Sequence, residues 1–216
     1  MSLLLNVPFT EKDEVKRLGA LWNPELKKWY VKYQKDYWKF KKWISNSKSY
    51  YILFDYIYII EGINYCFKCN NLTRVICFGI EKYMEFNSEY EYGYDYFNDN
   101  NIHIAPHIYP IPPILLNYIQ HKYNYKLKYS KSADKSYLAN CCDNCDVLQG
   151  DFYLFDEPDS PFWIESPLDT SKLNIIKMPL KYDLVINNAD IRYCSTDYLI
   201  KKYANIRKSS IGLYNF

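Results

Sequence analysis

The sequence predicts an α+β protein with a small β-α-β-α module at the N-terminus and a zinc-stapled, zinc-ribbon-like α+β domain after it. Three observations predict this class. Over residues 1–46, short apolar strands alternate with amphipathic helical segments. From residue 50 onward, apolar stretches of strand length predominate. Two Cys-x-x-Cys pairs, at residues 66–69 and 142–145, together provide the four ligands that a structural metal site requires.

The N-terminal module shows its element boundaries clearly. Strands are predicted at residues 3–7 and 28–31, where apolar residues cluster beside turn signals. Thr10 begins a capping-box pattern that predicts the start of the first helix, and Gly19 predicts its end. A second helix is predicted at residues 35–44. We therefore expect a compact unit that ends in a short Ser-rich linker.

A known family shares many residues with this module. The shared segments are Leu5-Asn6-Val7-Pro8-Phe9, Glu11-Lys12-Asp13-Glu14-Val15-Lys16, Leu18-Gly19-Ala20, Trp22, Pro24-Glu25 and Lys27-Lys28-Trp29-Tyr30-Val31. Residues 3–44 resemble the small bacterial and phage domain known as DUF5710, which occurs in TraC-type plasmid primases and other mobile-element proteins. Its W-x-P-x-x-K-x-W core is also similar to the HARP repeat of annealing helicases. The DUF5710 resemblance implies a link with mobile elements but carries no agreed activity.

The second domain is predicted to occupy residues 50–216, with residues 70–141 inserted between the two Cys pairs. Its predicted elements, in chain order, are one or two strands at 50–62, a strand at 72–80, a mobile acidic loop at 81–101, an extended segment at 103–113, a helix at 114–121, strands at 150–155 and 182–186, and a helix at 195–206 capped by Ser195 or Thr196.

The second Cys pair belongs to a longer motif. That motif consists of Cys142-Asp143-Asn144-Cys145, Leu148-Gln149-Gly150-Asp151-Phe152 and Glu157-Pro158. It resembles an element of uncharacterised bacterial zinc-ribbon-like proteins and implies their fold, without a function. Asp143 and Asp146 stand where those proteins have Pro and Gly, which loosens the turn but keeps both thiol ligands.

The predicted metal site consists of Cys66, Cys69, Cys142 and Cys145, with Zn²⁺ as the cofactor. Each Cys-x-x-Cys turn offers two thiolates from one tight bend, and Zn²⁺ in structural sites takes four ligands in a tetrahedron. The 72 residues between Cys69 and Cys142 exceed the usual ribbon spacing of about 15–20. Two unrelated turns with free thiols are the alternative.

Other thiols and imidazoles leave alternatives open. Cys141 can replace Cys142 in a shifted turn, whereas Cys77 and Cys194 are expected to be buried thiols. His103 and His107 have a His-x-x-x-His spacing, but the prolines around them argue against a helix that would align both rings. Seven cysteines, an odd number, favour a reducing compartment, and we expect the protein to be cytoplasmic.

Basic residues alternate with aromatic residues in the N-terminal module. Residues 1–50 contain eleven Lys and Arg against five Asp and Glu. This mixture is typical of proteins that bind single-stranded nucleic acid. The predicted contact residues are Lys28, Lys32, Trp38, Lys39, Lys42 and Trp43. We expect Trp22 and Trp29 to form the hydrophobic centre of the module instead.

No catalytic motif is recognisable. The sequence has neither His-Glu-x-x-His nor a glycine-rich phosphate loop, and no His-x-Glu triplet precedes a Cys-x-x-Cys pair as in zinc deaminases. The most apolar stretch, residues 50–60, is shorter than the ~20 residues of a membrane span. We therefore expect a non-enzymatic accessory protein, associated with DNA or RNA, in which zinc is structural.

The alternative function is a protein-interaction or inhibitor protein of a virus or mobile element. Such a protein would bind a host or replication partner through acidic, Tyr-rich surfaces. Residues 81–100 contain six acids and one Lys, and residues 143–169 contain eight acids and no basic residue.

Overall fold

The computed structural model describes residues 1–87 and 89–209. Its helices are α1 (Lys12–Arg17), α2 (Lys41–Ile44), α3 (Pro113–Lys122), α4 (Pro167–Ser171) and α5 (Tyr198–Tyr203), with 3-10 turns at Phe9–Glu11 and Gln34–Phe40 and a π-helical turn at Phe152–Asp156. Its strands are β1 (Leu3–Leu5), β2 (Leu21–Asn23), β3 (Lys28–Val31), β4 (Ser49–Leu53), β5 (Tyr56–Tyr65), β6 (Leu72–Ile80), β7 (Tyr83–Asn87), β8 (Tyr94–Phe97), β9 (His103–Ala105), β10 (Ile108–Tyr109), β11 (Tyr125–Ser130), β12 (Lys135–Asn140), β13 (Asn174–Pro179), β14 (Leu184–Ile186), β15 (Asn188–Ala189) and β16 (Asn205–Lys208). The predicted α+β class is confirmed.

Three sheets organise the chain. The largest has five strands in the order β16-β13-β5-β6-β9, and a second has four in the order β14-β4-β7-β8. Strand β3 lies between β1 and β2 in the three-stranded sheet of the N-terminal module. Two further antiparallel pairs, β10 with β15 and β11 with β12, complete the described strand pairing.

Both faces of the five-stranded sheet are buried, which explains the nearly continuous apolar runs of β5 and β6. Ile59 and Phe78 lie on one face and pack toward α3, whereas Ile60 and Cys77 lie on the other face and pack toward α5. Strand β6 comes from the predicted insertion 70–141, so this segment contributes to the main core.

The N-terminal module shares its core with the four-stranded sheet. One cluster of buried side chains joins the two: Leu3, Leu5, Val15, Val31, Tyr37, Phe40, Trp43 and Ile44 from the module, and Tyr50, Ile52, Phe54, Met84 and Phe86 from β4, β7 and the turn after β4. Buried Tyr37 also donates a hydrogen bond of 2.6 Å to Asp183, just before β14. The module is therefore packed onto the rest of the chain.

Several predicted elements differ in the structure. The predicted loop at 81–101 contains β7 and β8, because their aromatic rings stack into the sheet; Tyr83 and Phe97 lie 4.7 Å apart between ring centroids. The predicted strand at 150–155 is a π-helical turn that buries Leu154 and Phe155.

Two helix boundaries were also predicted wrongly. The last helix is shorter than 195–206 and is followed by β16; its N-cap is Asp197, and the Thr196 hydroxyl instead donates to the Ile164 carbonyl. Thr10 does not cap α1, because a 3-10 turn precedes that helix. Within the described part of the chain, each helix is too short to span a lipid bilayer.

Candidate metal centre and candidate nucleic-acid interface

The four predicted thiols converge in the structure. The Sγ atoms of Cys66, Cys69, Cys142 and Cys145 all lie within 4.8 Å of one another. Two Sγ–Sγ distances, Cys66 to Cys145 and Cys69 to Cys142, are 3.6 and 3.7 Å. Zn–S bonds of about 2.3 Å in a tetrahedron separate the sulfur atoms by about 3.8 Å. The cluster therefore has the size of a four-thiolate metal site.

Each pair of ligands sits on the same kind of backbone turn. In the first turn, the Asn70 N–H donates to the Cys66 carbonyl at 2.8 Å; in the second, the Asp146 N–H donates to the Cys142 carbonyl at 3.1 Å. Asn70 and Asp146 follow the second Cys of their pairs and have φ of +56° and +60°. Asn and Asp tolerate this left-handed conformation better than most residues. Asp146 therefore adopts the backbone conformation that the second turn requires.

Hydrogen bonds reach sulfur atoms of the cluster, and they lower the pKa of Cys66. The backbone N–H groups of Asn144 and Cys145 donate to Cys142 Sγ at 3.4 and 3.5 Å, and the Gln149 side chain donates to Cys66 Sγ at 3.5 Å. Burial alone would raise the pKa of Cys66, but hydrogen bonds, foremost from the backbone of Cys69, outweigh it and lower the pKa to about 6. Metal coordination requires such deprotonated thiols.

The second turn is docked on the edge of β6. The Asn140 side chain accepts a hydrogen bond from the Ile76 N–H and donates one to the Ile76 carbonyl, both at 2.8 Å. Asp143 accepts from the backbone N–H and from Nε of Arg74, both at 3.1 Å. Strand β9 pairs with β6 only from Phe78 onward, so these side chains occupy the edge that β9 leaves open. This docking brings the two Cys pairs together.

The remaining cysteines of the described chain lie outside the cluster. Cys141 is buried, and its thiol donates to the Ala139 carbonyl at 3.7 Å, so the cluster contains Cys142 and not Cys141. Cys77 is buried as expected, and burial raises its pKa. Cys194, expected to be buried, is exposed beside the turn that precedes α5.

The two histidines have carboxylate partners instead of a shared metal. His103 is buried, with Nδ1 2.7 Å from Asp197 and Nε2 3.0 Å from Asp99. Burial opposes protonation of His103, but these two carboxylates outweigh it and raise the pKa. His107 Nε2 lies 2.8 Å from Asp151.

Half of the predicted nucleic-acid contacts are already engaged within the protein. Trp43 is only 3% exposed, and its indole N–H donates to Glu11, so it has no free ring face for a base; this prediction is wrong. Lys42 forms ion pairs with Glu11 and Glu14, at 3.0 and 3.2 Å. Lys39 forms one with its own neighbour in the turn, Asp36.

The other three predicted contacts remain at the surface. Trp38 is 47% exposed. Lys28 donates to the Asn6 side chain at 3.4 Å, and the Lys32 ammonium lies 5.4 Å from the centroid of the Tyr33 ring. Lys28 also lines a groove that no pattern in the sequence predicted.

This groove encloses about 670 Å³ on the surface of the N-terminal module. The chemically distinctive residues that line it are Phe9, Lys12, Trp22, Lys27, Lys28 and Trp29. Trp22 is 49% exposed, so the expectation that it is a core residue is wrong. The physical reason is that β4 and β7 complete the core of the module from outside, and Trp22 is not needed there. The large number of aromatic residues in the module was the sequence signal that could have indicated an exposed ring.

The groove carries unpaired positive charge. In residues 1–87 and 89–209, no carboxylate lies within ion-pairing distance of Lys12, Lys27 or Lys28. The groove lining contains no acidic side chain either. The groove is therefore the part of the module best suited to attract an anionic ligand.

Comparison with known proteins concerns this same module. Residues 3–45 match the family described as Domain of unknown function (DUF5710). The resemblance deduced from the sequence is thereby confirmed, and all six groove residues lie within the DUF5710 segment. Over 39 residues the chain is 56% identical to DNA primase TraC of Escherichia coli, a stretch that covers 18% of this chain and 4% of the primase. No solved structure matches the chain.

Proposed function

We propose that this protein is a non-enzymatic accessory factor that binds nucleic acid through the groove of its DUF5710 segment and holds one structural Zn²⁺ at its four-cysteine cluster. The observation that carries the proposal is the set of three lysines without carboxylate partners beside exposed aromatic rings. When lysines bind phosphates, the cations condensed on the nucleic acid are released, and this release favours complex formation.

The similarity to TraC supports the same proposal. A segment that is 56% identical occurs in a protein named as a DNA primase, and the groove lies inside the DUF5710 match. The match covers 4% of that primase, so primer synthesis is not part of the proposal.

The cysteine cluster favours a structural metal. Four thiolates fill a tetrahedral site and leave no position for water or substrate, which catalytic zinc sites keep. When bound, the metal would link the turn between β5 and β6 to the turn after β12. The chain itself preorganises that link. The side chains of Asn140 and Asp143 bind the edge of β6, and backbone N–H groups donate hydrogen bonds to sulfur.

Salt-dependent binding tests the nucleic-acid proposal. We expect a fluorescein-labelled oligothymidylate of about 12 nucleotides to bind the full chain with a slope of log K against log salt near −2, about −0.7 for each of three lysines. Affinity should then fall about 20-fold between 50 and 200 mM salt. With Lys27→Ala/Lys28→Ala the slope should shrink to about −0.7.

The matched control removes two lysine charges from a site outside the groove. Lys131 and Lys135 are exposed at the tip of the β11–β12 hairpin, outside the groove. Lys131→Ala/Lys135→Ala should leave the slope unchanged. No binding at 50 mM salt, or equal losses in both double variants, would contradict the proposal.

Metal analysis tests the zinc proposal separately. We expect one zinc per chain by mass spectrometry of the purified protein, and a large loss of thermal stability on chelation. Cys66→Ser should abolish stoichiometric zinc, whereas Cys194→Ser, which alters an exposed thiol outside the cluster, should not. A chain that purifies without zinc and is indifferent to chelators would overturn this part.

A second candidate function is protein interaction through the acidic, Tyr-rich surface. Tyr92, which is 77% exposed, and Tyr96, which is 46% exposed, lie in or beside β8, among the acids of residues 81–100. Rings of this kind are common at protein–protein contacts. If the zinc-loaded chain binds no nucleic acid, a purified partner that loses affinity on Tyr92→Ala would favour this function.

A further inference from the structure

We infer that the groove holds unpaired nucleotides by stacking their bases on Phe9 and Trp22, and therefore prefers single strands to duplexes. The inference rests on the proposed nucleic-acid function and goes further, because it names the form of the ligand. A site that bound phosphates alone would not require exposed rings.

Both rings are exposed, and the Trp22 ring is held by a neighbouring ring. Phe9 is 79% exposed and begins a 3-10 turn directly after Pro8, which restricts the backbone there. Trp22 lies opposite Trp29 in the β2–β3 pair, and their rings meet edge to face at 5.4 Å between centroids. Trp29 therefore braces Trp22 while half of the Trp22 surface stays open to solvent. Large exposed rings on a rigid support are the arrangement on which bases stack.

Cations accompany the rings in the lining of the groove. The Lys12 ammonium lies 4.1 Å from the centroid of the Phe9 ring. Lys28 is the first residue of β3, Lys27 directly precedes it, and Trp29 follows in the strand. Because each nucleotide offers a flat base and an anionic phosphate, a groove lined by both rings and ammonium groups can contact both parts of a single strand. The Lys12 ammonium can leave the Phe9 ring for a phosphate when a base covers that ring.

A duplex cannot use the rings in this way. Its bases are stacked on one another, and their faces are inaccessible unless the helix is opened, which costs a few kcal/mol per base. Only the lysine contacts with phosphates would remain. We therefore expect the groove to bind a single strand more tightly than a duplex. A strand that lacks bases should be bound by the lysine contacts alone.

Three labelled probes of about 12 nucleotides separate the contributions: oligothymidylate, an abasic oligonucleotide of the same length and charge, and a duplex. We expect the zinc-loaded full chain to bind oligothymidylate about 5- to 150-fold more tightly than the abasic probe. Trp22→Ala should remove most of this difference and leave abasic binding unchanged. Lys27→Ala/Lys28→Ala should weaken binding of both.

A second variant and a folding control guard against a trivial loss of structure. Phe9→Ala removes the most exposed of the groove rings and should act in the same direction as Trp22→Ala, while thermal unfolding stays within a few degrees of the parent chain. Equal affinity for the oligothymidylate and abasic probes, or tighter binding of the duplex, would refute base stacking but leave the proposed function intact. Failure of all three probes to bind would refute the proposed function itself.

Discussion

Replacing Asn140 by Ala should destabilise the zinc-loaded protein by about 2–6 kcal/mol. The Asn140 side chain is 8% exposed and makes two hydrogen bonds of 2.8 Å, one to the N–H and one to the carbonyl of Ile76. Truncation leaves both backbone groups of Ile76 without these partners, and each buried polar group left unpaired costs about 1–3 kcal/mol. Two such groups give the expected range.

Urea unfolding at a fixed, saturating zinc concentration measures this loss. Asn140→Asp adds a sharper test, because a carboxylate keeps the shape of the amide but cannot donate to the Ile76 carbonyl; it should destabilise at least as much as Ala at neutral pH. Asn117→Ala, an exposed site in α3, is the control and should change stability by about 0.5 kcal/mol or less. A loss below about 1 kcal/mol for Asn140→Ala would show that the docking of the second turn on β6 does not depend on this side chain.

Three further predictions concern a thiol, a glycine and a histidine. Cys141→Ser should retain one zinc per chain whereas Cys142→Ser should not, as metal analysis can show; the opposite result would mean that the second turn is shifted by one residue. Gly79→Ala should lower the unfolding free energy by about 1–3 kcal/mol, because the new Cβ would lie 2.7 Å from Cγ2 of Ile102, the residue directly before β9; unchanged urea unfolding would contradict this packing. His103 has a raised pKa, so its charged form stabilises the fold fully below about pH 6.5, and this contribution is lost as the pH rises through the higher folded-state value. The destabilisation by His103→Gln should therefore shrink as the pH rises from about 6.5 through the folded-state pKa, and a constant difference would exclude the charged pair.

The four-cysteine cluster could be predicted from the sequence because the geometry of each Cys-x-x-Cys turn is local. A Cys-x-x-Cys turn presents both thiols whatever surrounds it, and the two pairs needed only to meet. Their meeting depends on Asn140 and Asp143, whose side chains replace a neighbouring strand beside β6. Such pairing of side chains with a strand edge leaves no periodic signal, so the position of the second turn could not be predicted.

Trp22 was expected in the core and Trp43 at the surface, but the structure shows the opposite, and the cause lies outside the module. Judged alone, the module needs a central Trp, and the helical pattern of residues 35–44 placed Trp43 outside. In the structure, β4 and β7 cover the second helix, bury Trp43 and leave Trp22 on the surface. No property of residues 1–46 indicates that this covering exists.

The strand predicted at 150–155 is absent for a different reason. Its apolar run, with Leu154 and Phe155, is equally consistent with a strand and with a short helical turn. A helical turn forms here, and it buries the adjacent side chains of Leu154 and Phe155 while Phe152 and Tyr153 remain exposed. Short apolar runs are ambiguous in this way whenever their neighbours decide which face is covered.

The core shared between the DUF5710 segment and the four-stranded sheet limits how this segment can be transplanted. Cut out at residue 46, it would expose the side chains of Phe40, Trp43 and Ile44 to water, and we expect such a peptide to collapse or aggregate. A scaffold that receives this segment would therefore have to cover these side chains with apolar residues of its own. Grafting the groove onto another scaffold would require moving strands β4 and β7 with it, so the smallest portable unit includes part of the domain that follows.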